Sequence, residues 1–201
     1  PYRVAQIDFR LSVVANAIAR RFGVARAALS SDLPLGGASA VFYTTEGHAV
    51  TDAQTRPRAY VHRITPGFFD ALGVPLRAGR TFEGADFSPG APVVIVSEGV
   101  ARRFWTGQDP IGRRLKIGAL DSPAPWLTVV GVVPDLKYRG LPENPTTDPD
   151  LFFPYVDRGL QGIVLRTTVD PNSVASSVRA ALRETHPDIV VFGVAALEET
   201  V

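Results

Sequence analysis

Histidine and cysteine, the side chains that most often act as catalysts or metal ligands, are scarce in this sequence. There are three histidines, His48, His62 and His186, and there is no cysteine. The absence of cysteine excludes thiolate nucleophiles and thiolate metal sites. No histidine belongs to the HExxH pattern that places two zinc ligands on one helix face. The three fall in a predicted loop, strand and helix end, so we interpret them as surface or edge residues.

Sequence motifs for nucleotide binding and nucleophilic catalysis are also missing. No GxxxxGKS or GxxxxGKT segment is present to cradle phosphates, and no serine lies in a Gly-x-Ser-x-Gly elbow. Asp148 and Asp150 could offer oxygen ligands to a cation, but they lack the further carboxylates of a calcium loop, so a turn around Pro149 is predicted. The sequence therefore predicts no catalytic residue, no metal and no cofactor. A hydrolase whose triad is assembled only by folding stays open as an alternative.

The composition is that of an ordinary globular domain. Hydrophobic residues make up 45% of the 201 residues, charged residues 20%, and the net charge is +1. Near-neutral charge argues against nucleic acid as a partner, because that binding depends on clustered basic residues. The sequence begins with Pro1 and contains no methionine. We therefore expect it to be a piece of a longer protein, although no stretch has the about 20 apolar residues of a membrane-spanning helix.

Short strands and a few helices alternate irregularly along the chain. Helical periodicity or start signals predict helices at 7–22, 66–72, 97–104 and 170–186. Apolar runs predict strands at 24–30, 40–45, 59–64, 93–96, 114–117, 126–133, 151–155, 163–169 and 189–194. Thr65, Ser97 and Asp170 stand where a helix N-cap is expected. Because this is not a regular βαβ series, the predicted class is α+β with a mixed sheet and helices.

Five segments resemble, in order, the motifs of one known family. They lie at 64–80, 92–105, 109–115, 129–135 and 150–154, and include the runs DPIGRRL and VVGVVPD. The order and spacing agree from about residue 24 to the end of the chain. The sequence is thus similar to the MacB-like periplasmic core domain of FtsX-type ABC transporter permeases.

The resemblance implies an architecture, a location and a set of partners. We expect a two-lobed domain, with a porter-like lobe formed by 1–77 and 146–201 and an inserted smaller α+β lobe formed by 78–145. The domain would lie outside the cytoplasm, in the periplasm, as part of an inner-membrane protein, and would do no covalent chemistry. A cytosolic ATPase would drive it through the membrane part, beside a second permease copy. In an efflux system a periplasmic adaptor and an outer-membrane channel would join them, whereas the isolated domain would be monomeric.

Candidate contact residues and one further function complete the expectations. The residues singled out for partner contact are Arg102, Arg103, Trp105, Arg113 and Arg114. Trp105 ends an amphipathic helix, so core packing is the other interpretation of that side chain. The alternative function is a free-standing periplasmic solute- or peptide-binding domain that uses the cleft between the two lobes.

Overall fold

A computed structural model describes residues 24–32, 39–48, 55–136, 148–156 and 162–170, with a few positions between 173 and 184. The helix predicted at 7–22 and the strand predicted at 189–194 lie outside the described residues. At the start of the helix predicted at 170–186, Asp170 is confirmed as a cap. Its Oδ2 atom accepts the Ser173 N–H at 3.1 Å.

The described elements follow the predicted ones closely and add three short ones. The strands are β1 Val24–Ser30, β2 Ser39–Thr45, β3 Arg58–Ile64, β4 Ala78–Gly79, β5 Val93–Ser97, β6 Arg114–Ile117, β7 Leu127–Val133, β8 Asp150–Pro154 and β9 Gly162–Thr167. The helices are α1 Phe68–Leu72, a 3₁₀ helix at Gly84–Phe87, and α2 Glu98–Phe104. Beyond those predicted are β4, the 3₁₀ helix and a bridge between Thr45 and His48. The prediction of an α+β fold with a mixed sheet is confirmed.

The strands form one sheet whose pairing closes on itself. The order is β2-β6-β7-β5-β8-β3-β1-β9, and β2 also pairs with β3, so six strands make a closed ring. Pairing is parallel between β3 and β8 and between β5 and β7, and antiparallel elsewhere. Strand β3 pairs with β2 over Arg58–Val61 and meets β1 at Ile64. The β1–β9 pair therefore extends from the ring at a short junction.

Strands from both predicted lobes belong to this sheet. In the predicted inserted lobe, β5 pairs with β8 and β6 pairs with β2, and both of these partners come from the predicted porter-like lobe. The lobe boundaries at 77/78 and 145/146 stay a prediction.

Side chains on the two faces of the sheet form two apolar clusters. In β5, Val94 and Val96 belong to one cluster and Ile95 to the other, as the alternation of a strand requires. All six ring strands contribute to the first, which we call the inner cluster; its members include Tyr43, Ala59, Val94, Leu115, Val129 and Leu151. The second, the outer cluster, packs beneath α1 through Phe68 and Phe69. The ring therefore has a core on each side.

Two glycines allow the backbones of β4 and β7 to approach each other closely. Gly79 and Gly131 are partners in the register of these strands. A Cβ atom at Gly79 would lie 2.2 Å from the Val130 carbonyl oxygen, and one at Gly131 would lie 2.3 Å from the Arg80 carbonyl oxygen. Neither distance is compatible with a side chain, so the two backbones approach only because both residues are glycine.

Candidate functional site

Helix α2 presents Arg102 and Arg103 to solvent and is fixed at its start by a distant carboxylate. The Gly99 N–H donates to Asp135 Oδ1 at 2.6 Å, and the Arg102 guanidinium donates to Asp135 Oδ2. Burial raises the pKa of Asp135, but these two partners and the Ser97 hydroxyl outweigh it and leave the pKa lowered. Asp135 therefore holds both the first turn of α2 and its exposed arginine.

Ser97 is the N-cap residue of α2, as the sequence predicts, but its side chain makes no capping hydrogen bond. Its Oγ atom instead accepts the Asp150 N–H at 3.1 Å, which joins β5 to β8. The prediction of Thr65 as an N-cap is wrong, because Gly67 is the N-cap of α1 and Thr65 Oγ1 accepts the Leu29 N–H at 2.8 Å. Each hydroxyl bonds a neighbouring strand in place of its own helix.

The second arginine doublet lies at the start of β6 and its side chains are also paired. Arg113 donates to Gln108 Oε1 at 2.8 Å. Arg114 donates through Nε to Glu46 Oε2 at 2.8 Å and through Nη2 to Glu46 Oε1. The hydrogen bond from Arg114 lowers the pKa of Glu46. The guanidinium of Arg114 also lies 5.7 Å from the centre of the Trp126 ring, within cation–π range.

The turn after β2 lies between the two doublets. Glu46 in this turn pairs with Arg114, and the His48 ring contacts the Phe104 ring of α2 with 5.7 Å between centroids. Arg103 in turn lies over Phe104 at 5.5 Å. We call the exposed residues of this turn and of the two doublets, taken together, the arginine face; they are Glu46, His48, Arg102, Arg103, Arg113 and Arg114.

Trp105 is not on this surface. The side chain is 3% exposed and belongs to the inner cluster, in agreement with its interpretation as a core residue. Of the five residues predicted for partner contact, the structure therefore presents the four arginines to solvent and buries the tryptophan.

The interpretation of His62 as a surface or edge residue is wrong. His62 lies in β3, inside the sheet, with no exposed surface. Its Nδ1 atom is 2.7 Å from Asp32 Oδ2 and its Nε2 atom is 2.8 Å from Asp150 Oδ1. The ring stacks on Phe152 at 5.0 Å between centroids. We call Asp32, His62 and Asp150 the buried His62 cluster.

The His62 cluster is not arranged for nucleophilic catalysis. A general base needs a ring nitrogen within reach of the proton it removes, and both nitrogens of His62 contact carboxylates. The nearby hydroxyl of Ser97 bonds the backbone of Asp150. Among the residues that the structure describes, no group of three or more histidine, aspartate or glutamate side chains is placed to hold a metal ion.

Sequence reasoning missed this cluster because its members are far apart. Asp32 is 30 residues before His62 and Asp150 is 88 residues after it. One local signal was present: His62 stands between Val61 and Ile64 in a strand of otherwise mostly buried positions. A histidine there must be satisfied by hydrogen bonds, because an unpaired buried polar group is costly.

Comparison with known proteins gives a family for this fold. The family model described as the MacB-like periplasmic core domain matches residues 6–185 of this sequence. The chain belongs to this family. The macrolide export ATP-binding/permease protein MacB of Neisseria gonorrhoeae is 31% identical over 96 residues, which are 48% of this chain and 14% of that protein. The N. meningitidis protein of the same name matches equally well. The chain thus matches only a small part of these curated relatives.

Solved structures of MacB-like domains share the fold. The periplasmic region of MacB from Actinobacillus actinomycetemcomitans has a TM-score of 0.59 at 17% identity, covering 88% of this chain and 74% of that one. The extracellular domain of the noncanonic ABC-type transporter YknZ from Gram-positive bacteria has a TM-score of 0.57 at 16% identity, covering 87% of this chain and 83% of that one. These likenesses agree with the mixed sheet described above.

Membership in the MacB-like periplasmic core domain family confirms the resemblance and the extracytoplasmic location predicted from the sequence. It is a family of periplasmic domains of ABC transporter permeases. No helix within the described residues is long and apolar enough to cross a bilayer.

Proposed function

We propose that this MacB-like domain transmits the ATP-driven motion of a permease's membrane part to a substrate or to partner proteins outside the cytoplasm, in efflux or in lipoprotein or envelope export. The observation that carries the proposal is the family match over residues 6–185, together with relatives named as ATP-binding/permease proteins. The driving ATPase, a second permease copy, and an adaptor with an outer-membrane channel are the partners we propose.

The closed sheet supports this role mechanically. A displacement applied to one strand of the ring passes through backbone hydrogen bonds to strands on either side. Packed apolar clusters on both faces resist bending, because protein interiors have low compressibility. A rigid body of this kind moves as one piece, as a mechanical transmitter requires.

The arginine face is the surface we propose for partner contact. Its four arginines are exposed, and arginine is enriched at the energetically dominant positions of protein interfaces. Arg102 and Arg114 are held by Asp135 and Glu46, so their guanidinium groups are already ordered before a partner arrives. Ordering in advance lowers the entropy lost on association.

The alternative of a solute-binding domain has less support from the described residues. The pocket at the start of α1, lined by Thr65, Pro66 and Phe82 among others, has a volume of about 30 Å³. Small-molecule sites usually enclose about 300–1,000 Å³. This pocket accommodates a water molecule and not a solute.

Single-cysteine labelling tests the proposed role, because the chain has no cysteine of its own. The complete permease, freed of any other cysteine, would carry R103C on the arginine face or the control S88C beside the 3₁₀ helix. We expect a membrane-impermeant maleimide to label both in intact cells. In proteoliposomes that hold the permease with its partner ATPase, ATP should change the labelling rate of R103C severalfold and that of S88C little.

Two results would contradict this function. Labelling of both positions only after the cells are opened would place the domain in the cytoplasm. Equal R103C labelling with ATP and with a non-hydrolysable analogue would remove the link to ATP-driven motion at this surface.

A further inference from the structure

The buried His62 cluster needs more protons than a neutral histidine supplies. Both ring nitrogens lie within hydrogen-bond distance of a carboxylate oxygen, at 2.7 Å and 2.8 Å. A neutral imidazole has one N–H donor, and its other nitrogen presents a lone pair. Without a further proton, one carboxylate oxygen would face that lone pair in a site from which water is excluded. The geometry therefore requires an additional proton in the cluster.

The surroundings of the ring favour placing that proton on histidine. Among the described residues, the charged groups that act on His62 are Asp32 and Asp150. The end of β1 adds the hydroxyls of Ser30 and Ser31, which donate to Asp32 at 3.5 Å and 3.1 Å. Besides Asp150, β8 contributes Phe152, which stacks on His62, and α1 contributes Phe69, which packs against Phe152.

The direction of the histidine titration agrees with this geometry. Burial alone disfavours the charged ring and lowers its pKa. The hydrogen bonds from His62 to Asp150 and Asp32, with the charges of both, outweigh burial and leave the pKa of His62 raised.

The cluster lies at the junction between the ring and the β1–β9 pair. Asp32 follows the end of β1, His62 lies in β3, and Asp150 begins β8. At this junction Ser30 of β1 is paired with Ile64 of β3. Two further backbone hydrogen bonds flank this pair, from the Ser31 N–H to the Arg63 carbonyl and from the Thr65 N–H to the Leu29 carbonyl. The His62 cluster therefore connects the end of β1 to β3 through side chains, where few backbone hydrogen bonds connect them.

We propose that His62, as an imidazolium between Asp32 and Asp150, is a proton-bound latch that fastens the end of β1 to the ring and weakens on losing that proton. Its effect on stability has a defined sign. A histidine whose pKa is raised by folding stabilises the fold fully below its unfolded pKa of about 6.5. Between that value and the raised pKa, the folding constant falls by up to about tenfold per pH unit, and it levels off above.

A D150N variant separates the latch from ordinary hydrogen bonding. The side-chain amide introduced at position 150 can donate to Nε2 while Nδ1–H donates to Asp32, so that both bonds are made without an extra proton. We expect urea unfolding of the 201-residue chain to show a one-proton decline in stability above about pH 6.5, and D150N to lose most of that slope. The control D70N, at an exposed position on α1, should keep the same slope of stability against pH. Equal slopes in all three proteins would overturn the proposal.

Nuclear magnetic resonance of the histidine rings tests the latch even if D150N does not fold. We expect both nitrogens of His62 to be protonated at about pH 7. A neutral His62 ring, with a single protonated nitrogen at about pH 7, would overturn the proposal.

Discussion

Charged side chains are paired in two regions of this domain, and the same kind of bond has different consequences in each. On the arginine face, Arg114 contacts Glu46 and Arg102 contacts Asp135, with the side chains between about 40% and 65% exposed. In the buried His62 cluster, Asp32, His62 and Asp150 are at most 5% exposed. Water replaces a lost partner on the surface and cannot do so in the core. Surface charges are therefore free to serve binding, whereas the buried ones are committed to the fold.

Removing a histidine from each region should show the largest difference. We expect H62A to lower the free energy of unfolding by about 3–5 kcal/mol at pH 7, because the buried carboxylates of Asp32 and Asp150 both lose their hydrogen bonds to the ring. H48A, its control in the exposed turn, should change stability by no more than about 0.5 kcal/mol. Denaturant unfolding of both variants measures this. Losses of equal size would remove the distinction between the two regions.

Asp135 is half-exposed and should give an intermediate effect. D135A deletes the hydrogen bonds to the Gly99 N–H and to Arg102, so the start of α2 loses its cap. We expect a loss of about 1–2 kcal/mol, the usual cost of a missing cap. The variant S97A is the comparison, since Ser97 Oγ accepts the Asp150 N–H and acts on the start of α2 only through Asp135. Hydrogen exchange in α2 should rise more in D135A than in S97A; the reverse would make Ser97 the effective cap.

Replacing Arg114 should give the smallest change in the free energy of unfolding. Its pair with Glu46 is exposed, so R114A should lower the stability only slightly, even in low salt. That cost should shrink in about 1 M NaCl, because salt screens exposed charges. R113A provides the control, since the Arg113 side chain bonds the uncharged Gln108. A loss of stability as large as that of H62A, and unchanged by salt, would show that Arg114 belongs with the buried groups.

The sequence predicted the strands well and the N-caps at Ser97 and Asp170, but it did not predict which partner each hydroxyl side chain bonds. Strand positions follow from local alternation and apolar runs, and β6 was predicted with its observed bounds at Arg114–Ile117. A cap depends on where a short side chain finds its best partner. Asp170 bonds its own turn, but Thr65 bonds β1 and Ser97 bonds β8, partners that exist only once the sheet has formed.

The candidate site was predicted in part. The four arginines were expected at the surface and are exposed there. The sequence could not show that Asp135 and Glu46 hold two of them, because these carboxylates lie 33 and 68 residues away along the chain. The two interpretations of Trp105 were separated only by the packing of the inner cluster.

By itself, the sequence determined the fold class, the strands and the family, because these depend on local patterns and on ordered motifs that survive without knowledge of contacts. Tertiary structure alone decided which distant residues meet. It placed His62 between Asp32 and Asp150, and it paired Gly79 with Gly131 from two separate motifs. A buried charge and a close backbone approach are both set by neighbours across strands, and the order of residues along a chain does not specify those neighbours.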